Sequence, residues 1–176
     1  MAKKKGRNRG FQGIVSKMKL VSNCMCYGPE PEDGEELEQH LTVSRDGRIW
    51  FSAYGYDHKS ESGLRLIRKY QEKISPEAAN YFLANVAYLF SEEVVIPYAT
   101  DVGSWDLVLT NEEGEASKFG GSLVPIIDEL NRVSAIFRTL SGHNDYYMFD
   151  GNDREENELS EEAMNSYRTL GQAIRF

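Results

Sequence analysis

Seven of the first nineteen residues are cationic, with no acid among them: Lys3, Lys4, Lys5, Arg7, Arg9, Lys17 and Lys19. Three glycines are interspersed, so the run can follow an irregular path. Charges of this kind neutralise phosphates. If all seven did so on a duplex, log affinity would fall with log salt at a slope of about −6, and about −5 on a single strand. The same charges can instead strap the acidic remainder of the chain, or serve as a solubilising tail. A second group lies downstream. Trp50, Tyr54 and Tyr56 fall at even spacings within one extended stretch, so they share a strand face. Large aromatics anchor protein partners and also stack unpaired bases. The alternative is that the arm, the closing helix or an acidic loop covers them.

Other chemistry finds little footing. Cys24-Met25-Cys26 is one residue too tight for the usual zinc spacing. The histidines His40, His58 and His143 are scattered, with no pair three to five residues apart. Asp150, Asn152 and Glu161 match positions 1, 3 and 12 of a calcium loop. Arg154 and Glu155 then stand where that loop wants an oxygen ligand and a glycine. Gly120-Gly121-Ser122 ahead of a helix could cradle an anion, yet no lysine follows, and a glycine turn freeing Ser122 to cap explains the same residues. There is no Gly-x-Ser-x-Gly elbow. The 28 acids offer carboxylate pairs, but none has an apolar setting that would raise its pKa. The expectation is a protein that is not an enzyme and needs no metal or cofactor.

The chain has 176 residues, one domain's worth, and is 40% hydrophobic, enough for a core. Its net charge is −8, so beyond the basic start the remainder carries −15. Two surfaces of opposite sign are implied. The two cysteines cannot staple a secreted fold, the basic start has no long apolar stretch after it and so is not expected to be a secretory signal, and no run reaches the length of a membrane span. A cytoplasmic protein without a membrane role is expected.

The elements that must position these residues can be read from pattern. Residues 1–19 read as a basic, largely disordered arm, although Phe11, Ile14, Val15, Met18 and Leu20 approximate helical spacing. Residues 20–36 read as an acidic linker, and residues 37–176 as one domain. Leu37, Leu41 and Val43 alternate with polar neighbours, Asp46-Gly47 turns, and Ile49, Phe51 and Ala53 resume the alternation: a hairpin. LRLIRKYQEKI is a third strand. Ser75-Pro76-Glu77 opens a helix with stripe Ala79, Phe82, Leu83, Val86, Leu89 and Phe90. A second hairpin turns at Asn-Glu-Glu-Gly, and Ser122 can cap a helix with stripe Ile126, Ile127, Leu130, Val133, Phe137 and Leu140, ending at Gly142. DYYMF predicts a last strand, then an acidic linker and a closing helix with Met164, Tyr167, Leu170 and Ile174. The fold class is α+β: a mostly antiparallel sheet of about five to six strands, two main helices on one face, and a C-terminal helix.

The stretch from Asp101 to Gly151, with DGRIWFSAYGYD upstream, resembles an uncharacterised family of small bacterial and phage-associated proteins. The shared pattern is a hairpin with Trp-x-Leu…Thr-Asn…Gly, a Gly-Ser exit and a terminal Phe-Asp-Gly. These motifs are structural, and the resemblance carries over no catalytic residue. By analogy of context it implies an inhibitor of bacterial defence, of the anti-CRISPR kind. The leading expectation is therefore a non-catalytic binding protein that inhibits or modulates a protein partner, such as a nuclease carrying nucleic acid. The acidic body would be steered into a basic channel, and residues 3–19 would touch phosphates. Two alternatives stand beside it: a nucleic-acid-binding regulator acting through the arm, and a small metal-dependent enzyme.

Overall fold

The computed structural model describes residues 10–26, 28–92, 96, 98–124, 127–151 and 161–172. Among them the elements run β1 (Val15–Asn23), β2 (Glu36–Ser44), β3 (Arg48–Tyr56), β4 (Leu64–Lys73), α1 (Pro76–Leu89), β5 (Ser104–Asn111), β6 (Ala116–Ser122), α2 (Asp128–Ser141) and α3 (Glu161–Gln172). The strands form one six-stranded sheet in the order β4-β3-β2-β1-β5-β6, with every pairing antiparallel. The fold is α+β, as the hairpins and apolar stripes require.

The basic arm is shorter than the sequence suggests. Val15 to Asn23 form a central strand, paired with β2 on one side and β5 on the other. Apolar spacing that resembles a helix is in fact a strand period interrupted by a bulge between Val15 and Lys17. Met18, Leu20 and Ser22 are buried, whereas Lys17 and Lys19 are exposed. Phe11 is buried ahead of the strand, and its amide donates to the Phe90 carbonyl at 2.6 Å. The expected boundary between arm and linker at residue 19 therefore falls inside β1.

The helix starts and stops follow local chemistry. Ser75 caps α1 by accepting from the Ala78 amide at 3.1 Å, with proline in the first turn and Glu77 facing the positive dipole end. Gly142 ends α2 in the left-handed region at φ 76°. Ser122, however, caps nothing. It closes β6, and its hydroxyl accepts from the Ala99 amide at 2.9 Å, while α2 starts at Asp128 without a side-chain cap.

DYYMF is not a strand either. The segment runs along the helix-covered side of the sheet, where side chains rather than a neighbouring strand take up its backbone groups. The Tyr147 amide donates to Gln39 Oε1 at 2.8 Å, Gln39 Nε2 donates to the Asp145 carbonyl at 2.8 Å, and Ser22 Oγ donates to the Met148 carbonyl. Its aromatic residues fill the core: Phe149 meets Trp105 edge-on with ring centres 5.1 Å apart, and Tyr146 lies beside Phe137.

The core lies between the sheet and α1 with α2, joined through Phe82 and Phe137 at 4.3 Å between ring centres. α3 packs on this layer. Ser75 Oγ donates to the Leu170 carbonyl at 2.9 Å, and the Tyr81 and Tyr167 hydroxyls are 3.1 Å apart. Met164, Tyr167 and Leu170 are half-buried there, while Ile126 and Ile174 of the expected stripes lie outside the described residues.

Candidate functional site

Among the described residues, the helices leave one side of the sheet uncovered. Strand alternation decides which side chains face outward there. On β1 they are Lys17, Lys19 and Val21; on β2, Glu38, His40 and Thr42; on β3, Arg48, Trp50, Ser52 and Tyr54. The register aligns them into rows. One runs Gln71, Trp50, Thr42, Lys19, Val108 and Lys118 from β4 to β6. The next runs Lys69, Ser52, His40, Val21, Asp106 and Gly120. Trp50 and Tyr54 are half-buried, so each keeps part of its ring in solvent.

The charge on this face is opposite in sign to that of the chain. Lys17, Lys19, Lys69, Lys73 and Lys118 are exposed, against the carboxylates of Glu38 and Asp106; Arg48 is exposed as well but ion-paired with Asp46 at 3.0 Å. Glu38 is itself engaged: Asn23 Nδ2 donates to it at 2.7 Å, and His40 Nε2 lies 2.6 Å from its other oxygen. The His40 ring rests against Tyr54 at 4.8 Å between centres. Across the molecule the helices present Glu77, Asp128, Glu129, Glu161 and Glu162 in their first turns. The open face thus carries more lysines than acids, and the helix starts carry acids, although Arg132 of α2 and Arg168 of α3 are exposed too.

The sequence-predicted residues are placed unevenly by this geometry. Lys17, Lys19, Trp50 and Tyr54 come together on the open face. Tyr56 sits at its rim, where its hydroxyl donates to Glu30 of the acidic loop, which raises the phenol pKa. Lys3, Lys4, Lys5, Arg7 and Arg9 lie outside the described residues. Lys69, Lys73, Lys118 and His40 were not anticipated. Their signal was available only as alternation on strands whose open side the sequence does not identify.

A second polar cluster closes the β4 end of the sheet. Glu72 accepts from Tyr146 Oη at 3.0 Å, with His143 Nε2 at 2.9 Å, and Tyr70 Oη donates to Tyr146 Oη at 2.9 Å. Arg68 pairs with Glu36 at 2.8 Å and with Asp145, and lies over the Phe51 ring. Burial pushes the Tyr70 phenol up to about 12, and burial with the Tyr70 contact raises Tyr146 further. Both phenols therefore stay protonated near neutral pH and act as hydrogen-bond donors beside a half-buried carboxylate.

The glycine and acidic motifs have structural roles. Gly120 and Gly121 belong to β6, and the nearest helix start carries Asp128 and Glu129, which oppose an anion. Asp150 is no calcium ligand: it is buried and paired with Arg138, Nη1 to Oδ2 at 2.9 Å. Cys24 is half-buried and Cys26 exposed, with no disulfide between them. His58 is less isolated than its spacing suggests. Its Nδ1 is 2.7 Å from an Asp33 oxygen, and with Asp57 the three offer ligand atoms within 4.8 Å of one another in exposed loops.

No protein-family model matches the chain, and no curated protein matches it. Among the described residues, no helix is long and apolar enough to cross a membrane.

Proposed function

We propose that this is a non-catalytic nucleic-acid-binding protein that takes single-stranded DNA or RNA across the open face of its sheet. The carrying observation is the alignment of Trp50 with Lys19 and Lys118 in one cross-strand row, on the cationic side of an otherwise acidic molecule. Bases stack on the aromatic rings and phosphates meet the lysines, the combination that gives sequence-tolerant single-strand binding. The cations Lys3, Lys4, Lys5, Arg7 and Arg9 add further phosphate contacts, and the acidic helix side keeps the strand on one surface. The reading assigns the protein to the cytoplasm, without a metal or cofactor.

The test is fluorescence anisotropy of a labelled twenty-nucleotide oligo(dT) against the full chain over a range of salt. The expected result is binding that weakens with salt and a loss of about tenfold or more in Trp50→Ala, since base stacking is worth about 1–3 kcal/mol. Absence of binding at low salt, or affinity indifferent to salt, overturns it.

A second reading has its own observation: the exposed first-turn acids Glu77, Asp128, Glu129, Glu161 and Glu162 all lie on the helix side. A protein partner with a basic channel, such as a nuclease carrying nucleic acid, would dock there and be inhibited by the protein. Binding at the helix side and binding at the Trp50 side separate in one experiment, because charge reversal at Asp128 and Glu129 weakens protein capture without altering oligonucleotide affinity.

A further inference from the structure

At the β5–β6 side of the open face the sheet carries a notch. Gly120 has no side chain, and the space a Cβ would take there is bounded by Asp106 Oδ1 at 3.4 Å, the Trp105 carbonyl oxygen at 3.4 Å and Tyr98 Oη at 3.7 Å. Tyr98 is 78% exposed, so its ring is available to a planar group. Asp106 is also exposed, and among the described residues neither its carboxylate nor the Tyr98 hydroxyl has a hydrogen-bond or ion-pair partner. Lys118 stands two residues before Gly120 on the same face of β6, and Lys19 lies one strand beyond Asp106. A free carboxylate among lysines, beside an open ring and a missing side chain, is an odd feature on a surface that meets phosphates. It makes sense as a reader of a base.

We propose that this notch selects guanine within the single strand, an inference that rests on the sheet-face reading above. An unpaired base is recognised by stacking and by hydrogen bonds to its Watson–Crick edge. A carboxylate only accepts hydrogen bonds, and it accepts two side by side. Guanine alone presents two adjacent donors on that edge, N1–H and the N2 amino group. Cytosine and adenine set a ring-nitrogen acceptor beside their single amino donor, and that lone pair is repelled by the carboxylate. Thymine and uracil flank their one N–H with carbonyls. Gly120 matters because any side chain there would occupy the space between Asp106 and Tyr98. The Tyr98 ring supplies the stacking surface, and Lys118 meets the adjoining phosphate.

The experiment compares oligo(dT) with the same oligomer carrying one central guanine, adenine or cytosine, by anisotropy at one fixed salt concentration. Wild-type protein binds the guanine oligomer about tenfold tighter than oligo(dT), as a good bidentate pair is worth about 1–3 kcal/mol of discrimination. Asp106→Asn and Gly120→Val each bring the ratio of guanine-oligomer to oligo(dT) affinity, read within the same variant, down to about one. Trp50→Ala weakens all four oligomers alike. Equal affinity of wild-type protein for all four, or a guanine preference that survives Asp106→Asn, overturns the guanine assignment and leaves the sheet-face reading standing. Failure to bind any of the four overturns both.

Discussion

Arg138 and Asp150 form a forked ion pair inside the protein, both side chains less than a tenth exposed. The guanidinium also donates from Nε to the Tyr146 carbonyl at 2.8 Å and from Nη2 to the Tyr147 carbonyl at 3.4 Å. One side chain from α2 thus organises the whole turn that replaces the expected last strand. Removing either partner leaves a buried charge alone, which costs about 3–5 kcal/mol. Asp150→Ala and Arg138→Met should each lower the stability measured by urea unfolding by that much. Arg138→Lys should not restore it, because an ammonium cannot span two carboxylate oxygens and two carbonyls. Calcium added to the wild-type chain should leave Tm unchanged, since Asp150 is already engaged.

Adjacent glycines of β6 make a paired prediction. A Cβ on Gly121 would lie 2.5 Å from the Trp105 indole and 2.7 Å from Ile96, whereas one on Gly120 meets nothing closer than 3.4 Å. Gly121→Ala should therefore destabilise by about 1–3 kcal/mol through overpacking. Gly120→Ala should be neutral, or stabilising by up to about 1 kcal/mol through reduced unfolded-state entropy. Thermal melts followed by tryptophan fluorescence distinguish the two, and equal losses would show that Trp105 does not pack on Gly121.

The His58–Asp33 contact links the β3–β4 loop to the acidic loop. Hydrogen bonding to Asp33 raises the His58 pKa, and the same bond lowers that of Asp33. A raised histidine contributes stability that is full below its unfolded pKa and lost as pH rises through the folded value. A depressed aspartate contributes stability that is present above its unfolded pKa and lost as pH falls through its own folded value. The pair therefore holds from the depressed Asp33 pKa up to the raised His58 pKa. Both groups are exposed, so the readout is an NMR titration rather than a melt. Asp33→Asn should return the His58 midpoint to about 6.5. An unmoved midpoint would show that the loops do not meet.

Much of the fold was legible because its punctuation is local. Ser75-Pro76 starts α1, Gly142 ends α2, and Asp46-Gly47 and Asn111-Glu-Glu-Gly114 turn hairpins for reasons contained within a few residues. The misreadings share a different cause. A bulge disguised the period of β1, and aromatic DYYMF looked like a strand although its backbone is held by the side chains of Gln39, Ser22 and Arg138. For the candidate site, Trp50 and Tyr54 were readable as one face of β3. That face joins Lys19 of β1, far upstream, and Lys118 of β6, far downstream, only through sheet order. Strand order depends on which pairings bury the apolar faces together, and no short motif records it.

Lys17 and Lys19 stand on a central strand, so their phosphate contacts can be tested separately from those of the five cations in residues 1–9. Each lysine that meets a single strand contributes about −0.7 to the slope of log affinity against log salt. A chain lacking residues 1–9 should retain oligo(dT) binding, weaker at low salt and with a shallower slope. In the full chain, Lys17→Gln with Lys19→Gln should flatten the slope by about 1.4. The same double substitution should also diminish quenching of Trp50 fluorescence, because the strand is no longer drawn across β1 to β3. Binding that depends wholly on residues 1–9 and ignores Lys17 and Lys19 would assign the contact to the arm alone, and the open face would then need no ligand.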